Sequence, residues 1–255
     1  MNTDPFLASL IATLAVGAVA FFAVFLLTSA QSRLRSLTRY LITLAAGVLI
    51  GDVFLHLLPE LVEEQGGYTT ETAIFILAGI LVSLTIESLI HCYNHDHYTE
   101  GTHEHHNPAA AYLSLISDAL HNFLDGISIA ASFILNPVTG VITTIGIFLH
   151  EIPQELADVA ILLHSGWERK KVLLGNVLTA LTAVLGMIVF FLVSEISPAL
   201  TTTLVGFAIG QLTYVALADL LPEIHKHKTT KSYVISVALF VVGLVVMGLL
   251  LGLEA

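Results

Sequence analysis

Charge is what this chain has least of. Nine Lys+Arg and twenty Asp+Glu make up 11% of its 255 residues, where a soluble domain carries about 25%. So few charges cannot coat a water-facing surface on a chain that is 56% hydrophobic. The mean hydropathy of +0.87 points the same way. A soluble enzyme and a disordered chain are excluded on these grounds. The net charge of −11 also excludes a nucleic-acid binder. Cysteine is nearly absent. The single Cys92 rules out intramolecular disulfides and any multi-cysteine zinc module. What remains is an all-α membrane protein that crosses the bilayer several times, with twelve histidines among few polar residues.

A membrane-spanning helix needs about 20 mostly apolar residues. Eight stretches qualify, at about 6–29, 41–61, 72–92, 111–135, 138–164, 172–194, 199–223 and 232–253. The opening Met-Asn-Thr-Asp-Pro has no positive charge before the apolar run. It does not read as a secretory signal, so the first stretch counts as a span. The expected organisation is one polytopic domain over 1–255.

The basic residues orient it. Arg33, Arg35 and Arg39 lie between spans one and two, Arg169, Lys170 and Lys171 between five and six, and Lys226, Lys228 and Lys231 between seven and eight. These are all the Lys and Arg of the chain, and every one falls in an odd-numbered loop. The positive-inside rule makes that side cytoplasmic and places both termini outside. The third loop, 93–110, is then also cytoplasmic. It has no Lys or Arg but holds His95, His97, His103, His105 and His106, a metal-friendly and disorder-prone tract.

One repeat is visible. Leu-His-Leu-Leu-Pro-Glu (55–60) ends span two, and Ala-Asp-Leu-Leu-Pro-Glu (218–223) ends span seven, with Gly47 and Gly210 matching at the same offset of 163 residues. Spans one to three and six to eight are therefore expected to form an inverted repeat around a central pair, a 3+2+3 arrangement of the kind found in secondary transporters.

Ionisable groups inside spans are costly and default to function. Span four carries Asp118, His121, Asn122 and Asp125; span five carries His150, Glu151, Gln154, Glu155 and Asp158. His121 and Asp125 are four residues apart and share a helix face, as do His150 and Gln154, and Glu151 and Glu155. A short link at Asn136-Pro137 makes the two spans antiparallel neighbours, so their polar faces converge near the midplane. Imidazoles and carboxylates with no Lys or Arg beside them call for a cation. Pro153 lies inside this cluster and frees the carbonyl of Leu149; Pro59 and Pro222 free those of Leu55 and Ala218. Asp52, His56 and Glu60 run from the middle of span two to its outer end, and Asp219 and Glu223 lie at the inner end of span seven, marking a pathway on either side.

Mixed His and carboxylate donors suit Zn²⁺ and its neighbours Fe²⁺, Mn²⁺, Co²⁺ and Cd²⁺. The histidines argue against Mg²⁺ or Ca²⁺, which prefer all-oxygen sites. Three Met and one Cys argue against Cu(I). The metal is expected as transported substrate, with no catalytic cofactor.

His121-Asn122-Phe123-Leu124-Asp125 resembles the His-Asn-x-x-Asp motif on the fourth helix of ZIP (Zrt/Irt-like) metal transporters. His150-Glu151-Ile152-Pro153-Gln154-Glu155-Leu156-Ala157-Asp158 resembles the His-Glu-x-Pro-His-Glu-x-Gly-Asp motif on their fifth. The resemblance covers essentially the whole chain. It implies movement of divalent metal into the cytosol by alternating access, a midplane site at His121, Asp125, His150 and position 154, a second site using Asn122 and Glu151, and a homodimer. Two departures stand out. Position 154 is Gln where many members have His or Glu, so Glu155 is an alternative donor. Span six offers only Asn176, Thr179 and Thr182 in place of a carboxylate.

Two other readings compete. An intramembrane zinc hydrolase would use His-Glu-x-x-His on a helix, with Glu as general base; here Gln154 stands in the place of the second His and Pro153 interrupts the helix. A metal-gated sensor without flux would need the same site. A cell-membrane location, with divalent ions and the bilayer as partners, is expected.

Overall fold

In the computed structural model, residues 4–20, 22, 31–97, 108–222 and 229–250 are described. All their regular structure is helical. In chain order the helices are α1 (Pro5–Gly17), α2 (Gln31–Asp52, continuing through Val53–Leu57 into Leu58–Glu64), α3 (Thr70–His97) and α4 (Pro108–Leu135). Then come α5 (Pro137–His164), α6 (Arg169–Ser194), α7 (Pro198–Tyr214, continuing through Val215–Leu220) and α8 (Thr230–Leu250).

Local signals set several boundaries. Asp4 Oδ1 accepts the Phe6 amide at 3.0 Å and Pro5 fills the first turn, which starts α1. Asn136 does the same for α5. Its backbone is extended (φ −155°, ψ 135°), its Oδ1 accepts the Val138 amide at 2.8 Å, and Pro137 follows. One residue thus reverses the chain between α4 and α5. Gly66 and Gly166 end α2 and α5 at φ +72° and +84°, a backbone that favours glycine.

The distribution of side chains is inverted relative to a soluble protein. Leu174, Leu178, Leu181 and Leu185 of α6 and Val241, Val245 and Leu249 of α8 are exposed. Asp52, Asp118, Asp125, Glu151 and Glu155 are buried. Exposed apolar faces of this extent mark contact with lipid. Tyr40–Glu64, Thr70–Ser88, Arg169–Ser194, Leu200–Ala218 and Thr230–Leu250 are long and apolar enough to cross a membrane. Helices α4 and α5 match them in length, at 28 residues each. They fall short in apolarity because the polar residues of the candidate site sit on them. The chain is an all-α membrane protein.

Packing pairs α2 with α8 and α3 with α7, while α4 lies against α5 and α6. Glycine permits the closest approaches. In the first crossing Gly47 sits on the backbone of Phe240, and Gly243 on that of Leu44 and Val48. In the second, Gly210 sits on the backbone of Ile76, and Gly79 on that of Phe207 and Gln211. The α2 residues Leu44, Gly47 and Val48 stand 163 positions before the α7 residues Phe207, Gly210 and Gln211. The same offset relates two widened turns. Val53–Leu57 and Val215–Leu220 are π-helical. The amides of Leu58 and Leu221 reach five residues back to the carbonyls of Val53 and Ala216. Each turn lies just before a proline, Pro59 or Pro222, which cannot donate to the carbonyl four residues back, and a π turn absorbs such a defect.

Two boundaries differ from the sequence expectation. Helix α2 starts at Gln31 rather than at 41, so Arg33, Arg35 and Arg39 ride on helical backbone. Helix α3 continues to His97, beyond the span end expected at 92, and α4 starts at Pro108. His95 and His97 thus ride on helical backbone rather than in a loop; their side chains, and the whole of His103, His105 and His106, lie outside the described residues.

Candidate metal centre

The i, i+4 pairing on α4 and the His-Glu pair on α5 meet where the two helices face each other. His121, Asp125, His150 and Glu151 each place one donor atom within 4.8 Å of the others. His150 Nε2 lies 3.0 Å from Asp125 Oδ2 and 3.0 Å from His121 Nε2. His121 Nε2 lies 3.5 Å from Asp125 Oδ2, and Glu151 Oε1 is 3.6 Å from Nε2 of both histidines. The imidazoles meet edge to face, 86° apart.

These spacings can be compared with a metal polyhedron. Zinc holds nitrogen and oxygen ligands at about 2.0–2.2 Å, so the edge of a regular tetrahedron is about 3.3–3.6 Å. Three of the five distances above, at 3.5–3.6 Å, match that edge, and the two at 3.0 Å fall just short of it. The donor set also lacks other partners. Asp125 Oδ2 and Glu151 Oε1 are buried and accept no well-aligned hydrogen bond. Two buried carboxylates with bare oxygens facing two imidazoles are costly unless a cation joins them. The residues present fit a four-coordinate divalent ion.

Access is one-sided. Asp125, His150 and Glu151 are 0–2% exposed, whereas the His121 side chain is 14% exposed. It opens on a cavity of about 70 Å³ between α3, α4 and α7, with Ser83, Glu87, Ser117 and Tyr214 on its walls. Tyr214 donates a hydrogen bond to Glu87 there.

The other sequence-nominated residues distribute as follows. Asn122 is buried but turned to its own helix, with Nδ2 donating to Asp118 Oδ1 at 2.8 Å and to the Asp118 carbonyl at 3.1 Å. Gln154, a turn beyond His150, is half-buried, and the fourth member of the His/carboxylate set is Glu151. Glu155 accepts from Asn176 Nδ2 of α6 at 2.7 Å, and Asp158 from Ser114 of α4 at 2.6 Å. These two form a polar layer beside the centre rather than part of it.

Asp52 is fully buried on α2, and His56 Nε2 contacts the Met247 carbonyl at 3.0 Å. Glu60 accepts a hydrogen bond from Thr139. His56, Glu60, Glu63, Glu64 and Asn136 line an open cavity of about 570 Å³ where the end of α2 meets the α4–α5 corner. Glu63 and Glu64 extend the acidic mouth beyond the residues first nominated. Asp219 lies on the π turn of α7 with its side chain outside the described residues, and Glu223 lies outside them altogether.

Gln211 was missed. It is buried on α7, donates from Nε2 to Asp125 Oδ1 at 3.2 Å, and holds its Oε1 3.1 Å from Ser128 Oγ. A polar amide in the interior of an apolar span was the available signal, by the rule that flagged the acids.

The chain is similar to known proteins. A family model described as ZIP Zinc transporter matches residues 4–112 and 94–251. Zinc transporter zipt-7.1 of Caenorhabditis briggsae is 29% identical, covering 73% of this chain and 62% of that protein. Zinc transporter ZIP13 of Pongo abelii is 32% identical, covering 82% and 65%. Zinc transporter YKE4 of Saccharomyces cerevisiae is 30% identical, covering 82% and 70%. The chain therefore spans just under two thirds of the length of the first two. With nearly all of it matched, the chain belongs to the ZIP zinc transporter family.

Proposed function

We propose that this protein moves a divalent transition metal, zinc foremost, across a membrane into the cytosol through the centre of His121, Asp125, His150 and Glu151. The observation that carries the reading is the donor geometry. Four donors lie within 4.8 Å of one another, three of them buried, in a fold whose outer faces are apolar. The relatives' printed names support zinc as the cargo. Fe²⁺, Mn²⁺, Co²⁺ and Cd²⁺ share the ligand chemistry.

The acidic mouth of Glu60, Glu63 and Glu64 raises the local cation concentration, since clefts lined by one sign of charge focus the field. His56 and Asp52 on α2 lead inward. At the centre, imidazole and carboxylate replace the ion's water, and the ion's two positive charges offset the two carboxylates. In this conformation the open side is that of His121, which faces the cavity by Glu87. Glu155, Asp158, Asp219 and Glu223 line the continuation. Asn122 and Gln154 serve as flanking donors, and His95, His97, His103, His105 and His106 receive the ion on the cytoplasmic side.

The matched glycine crossings and π turns support eight spans in a 3+2+3 arrangement, with the first and last three helices as inverted copies. With that arrangement, the positive-inside reading supports both termini outside, and the cell membrane is the location we propose. The family resemblance supports association as a homodimer. The hydrolase reading is disfavoured by Glu151, whose Oε1 faces both histidines as a ligand would. Radiolabelled zinc uptake into proteoliposomes tests the proposal. Wild type is expected to accumulate zinc, and His121→Ala combined with His150→Ala to abolish it. Equal uptake by both would overturn the site.

A further inference from the structure

Asp125 has two oxygens with different surroundings. Oδ2 faces the histidines of the centre, 3.0 Å from His150 Nε2. Oδ1 is turned away and accepts from Gln211 Nε2 at 3.2 Å. Gln211 comes from α7, a different helix from those carrying the four donors. Its own position is tightly set. The preceding Gly210 packs on the backbone of Ile76, and the Gln211 amide nitrogen lies under Gly79 of α3. Its side chain is oriented by Ser128, whose Oγ is 3.1 Å from Oε1 and 3.0 Å from the Leu124 carbonyl. The opposite amide orientation would set Oε1 against an ionised carboxylate, acceptor against acceptor.

From this we infer that Gln211 is a positioning and specificity-determining residue. By occupying Oδ1 it fixes Asp125 as a one-oxygen ligand and biases the centre toward a small, four-coordinate ion. The inference rests on the metal-centre reading above. Its physical basis is coordination number. A tetrahedral zinc takes one oxygen from a carboxylate. Larger or six-coordinate oxygen-preferring ions such as Mn²⁺ gain when a carboxylate is free to offer both oxygens. A partner that orients a ligand typically contributes 10–100-fold in metal affinity.

The test is zinc and manganese uptake by the full chain in proteoliposomes, with KM and Vmax measured for each metal in wild type, Gln211→Met, Ser128→Ala and the double variant. Met keeps the volume of Gln and removes the donor, and Ser128 retains the Leu124 carbonyl as its acceptor. Gln211→Met is expected to raise the zinc KM about tenfold or more, to leave Vmax less affected, and to raise manganese uptake relative to zinc. Ser128→Ala should act in the same direction more weakly, and the double variant should be no worse than Gln211→Met alone, as for residues acting through one contact. A merely structural role would lower Vmax for both metals in proportion and leave their ratio unchanged; that result overturns the inference. Zinc binding by purified protein separates the two levels. If His121→Ala with His150→Ala binds zinc like wild type, the centre itself fails. If that pair loses zinc while Gln211→Met keeps the wild-type KM and metal ratio, the centre stands and the role of Gln211 is refuted.

Discussion

Asp125→Asn is the most informative single substitution at the centre. It keeps the shape of the side chain and removes one negative charge. An ion at zinc's ligand distance of about 2.0–2.2 Å from Oδ2 lies about 3 Å from the centre of the carboxylate charge, which is shared between both oxygens. At an effective dielectric of about 20, the gross attraction of a doubly charged ion at that distance is about 11 kcal/mol. Most of it is offset, because the ion gives up water on entry and the amide oxygen still ligates. A lower bound comes from orienting partners, whose removal already costs 10–100-fold in affinity. Loss of a charged ligand is therefore expected to exceed 100-fold, about 2.7 kcal/mol. The measurement is zinc affinity of purified protein by competition with a chelating dye, paired with initial uptake rates. The folded fraction is checked by a thermal melt in detergent. A folded Asp125→Asn protein whose zinc affinity falls less than tenfold would remove Asp125 from the ligand set.

Two further outcomes follow from the fold and the mouth. Gly210→Ala puts a methyl against the Ile76 backbone and is expected to lower stability by about 1–3 kcal/mol. Gly248→Ala, whose nearest neighbour would be Leu55 Cδ1 at 4.0 Å, should be near neutral in the same detergent melt; equal melting would refute the close crossing. Replacing Glu63 and Glu64 together by Gln should raise the zinc KM at low ionic strength and leave Vmax unchanged. The difference should shrink as salt is added, since exposed charges are screened over a Debye length of about 8 Å at 0.15 M; a salt-independent change would refute a field effect at the mouth.

The sequence made the centre legible because its geometry is local. His121 and Asp125 lie on one turn-to-turn row of α4, adjacent His150 and Glu151 lie on α5, and Asn136-Pro137 shows that the two helices turn back on each other. Membrane class was legible from the scarcity of charge, and the matched offset of 163 residues from Leu-Pro-Glu and two glycines. What stayed hidden depends on contacts across the chain. The link of Gln211 to Asp125 requires α7 to lie beside α4. The commitment of Asn122 to Asp118 was a choice between two neighbours that helix periodicity does not rank. The prolines announced freed carbonyls, yet the chain's response, a π turn before each, is not written in the spacing of the polar residues. The end of α3 was placed at the last apolar residue, while helical hydrogen bonding carries the helix on through polar His95 and His97.

The one-residue corner at Asn136 has a mechanical consequence. Two helices joined so tightly, with the cap bond from Val138 closing the joint, cannot slide past each other by a helical turn of 5.4 Å. Donors contributed by α4 and α5 are therefore tied to each other at one end. On the transport reading proposed above, an ion held there would keep the same ligands whichever side it faced, and exposure would change through the helices that surround the pair. Dehydration would then occur once per passage, at entry, and release would come by rehydration of an intact site rather than by pulling its ligands apart.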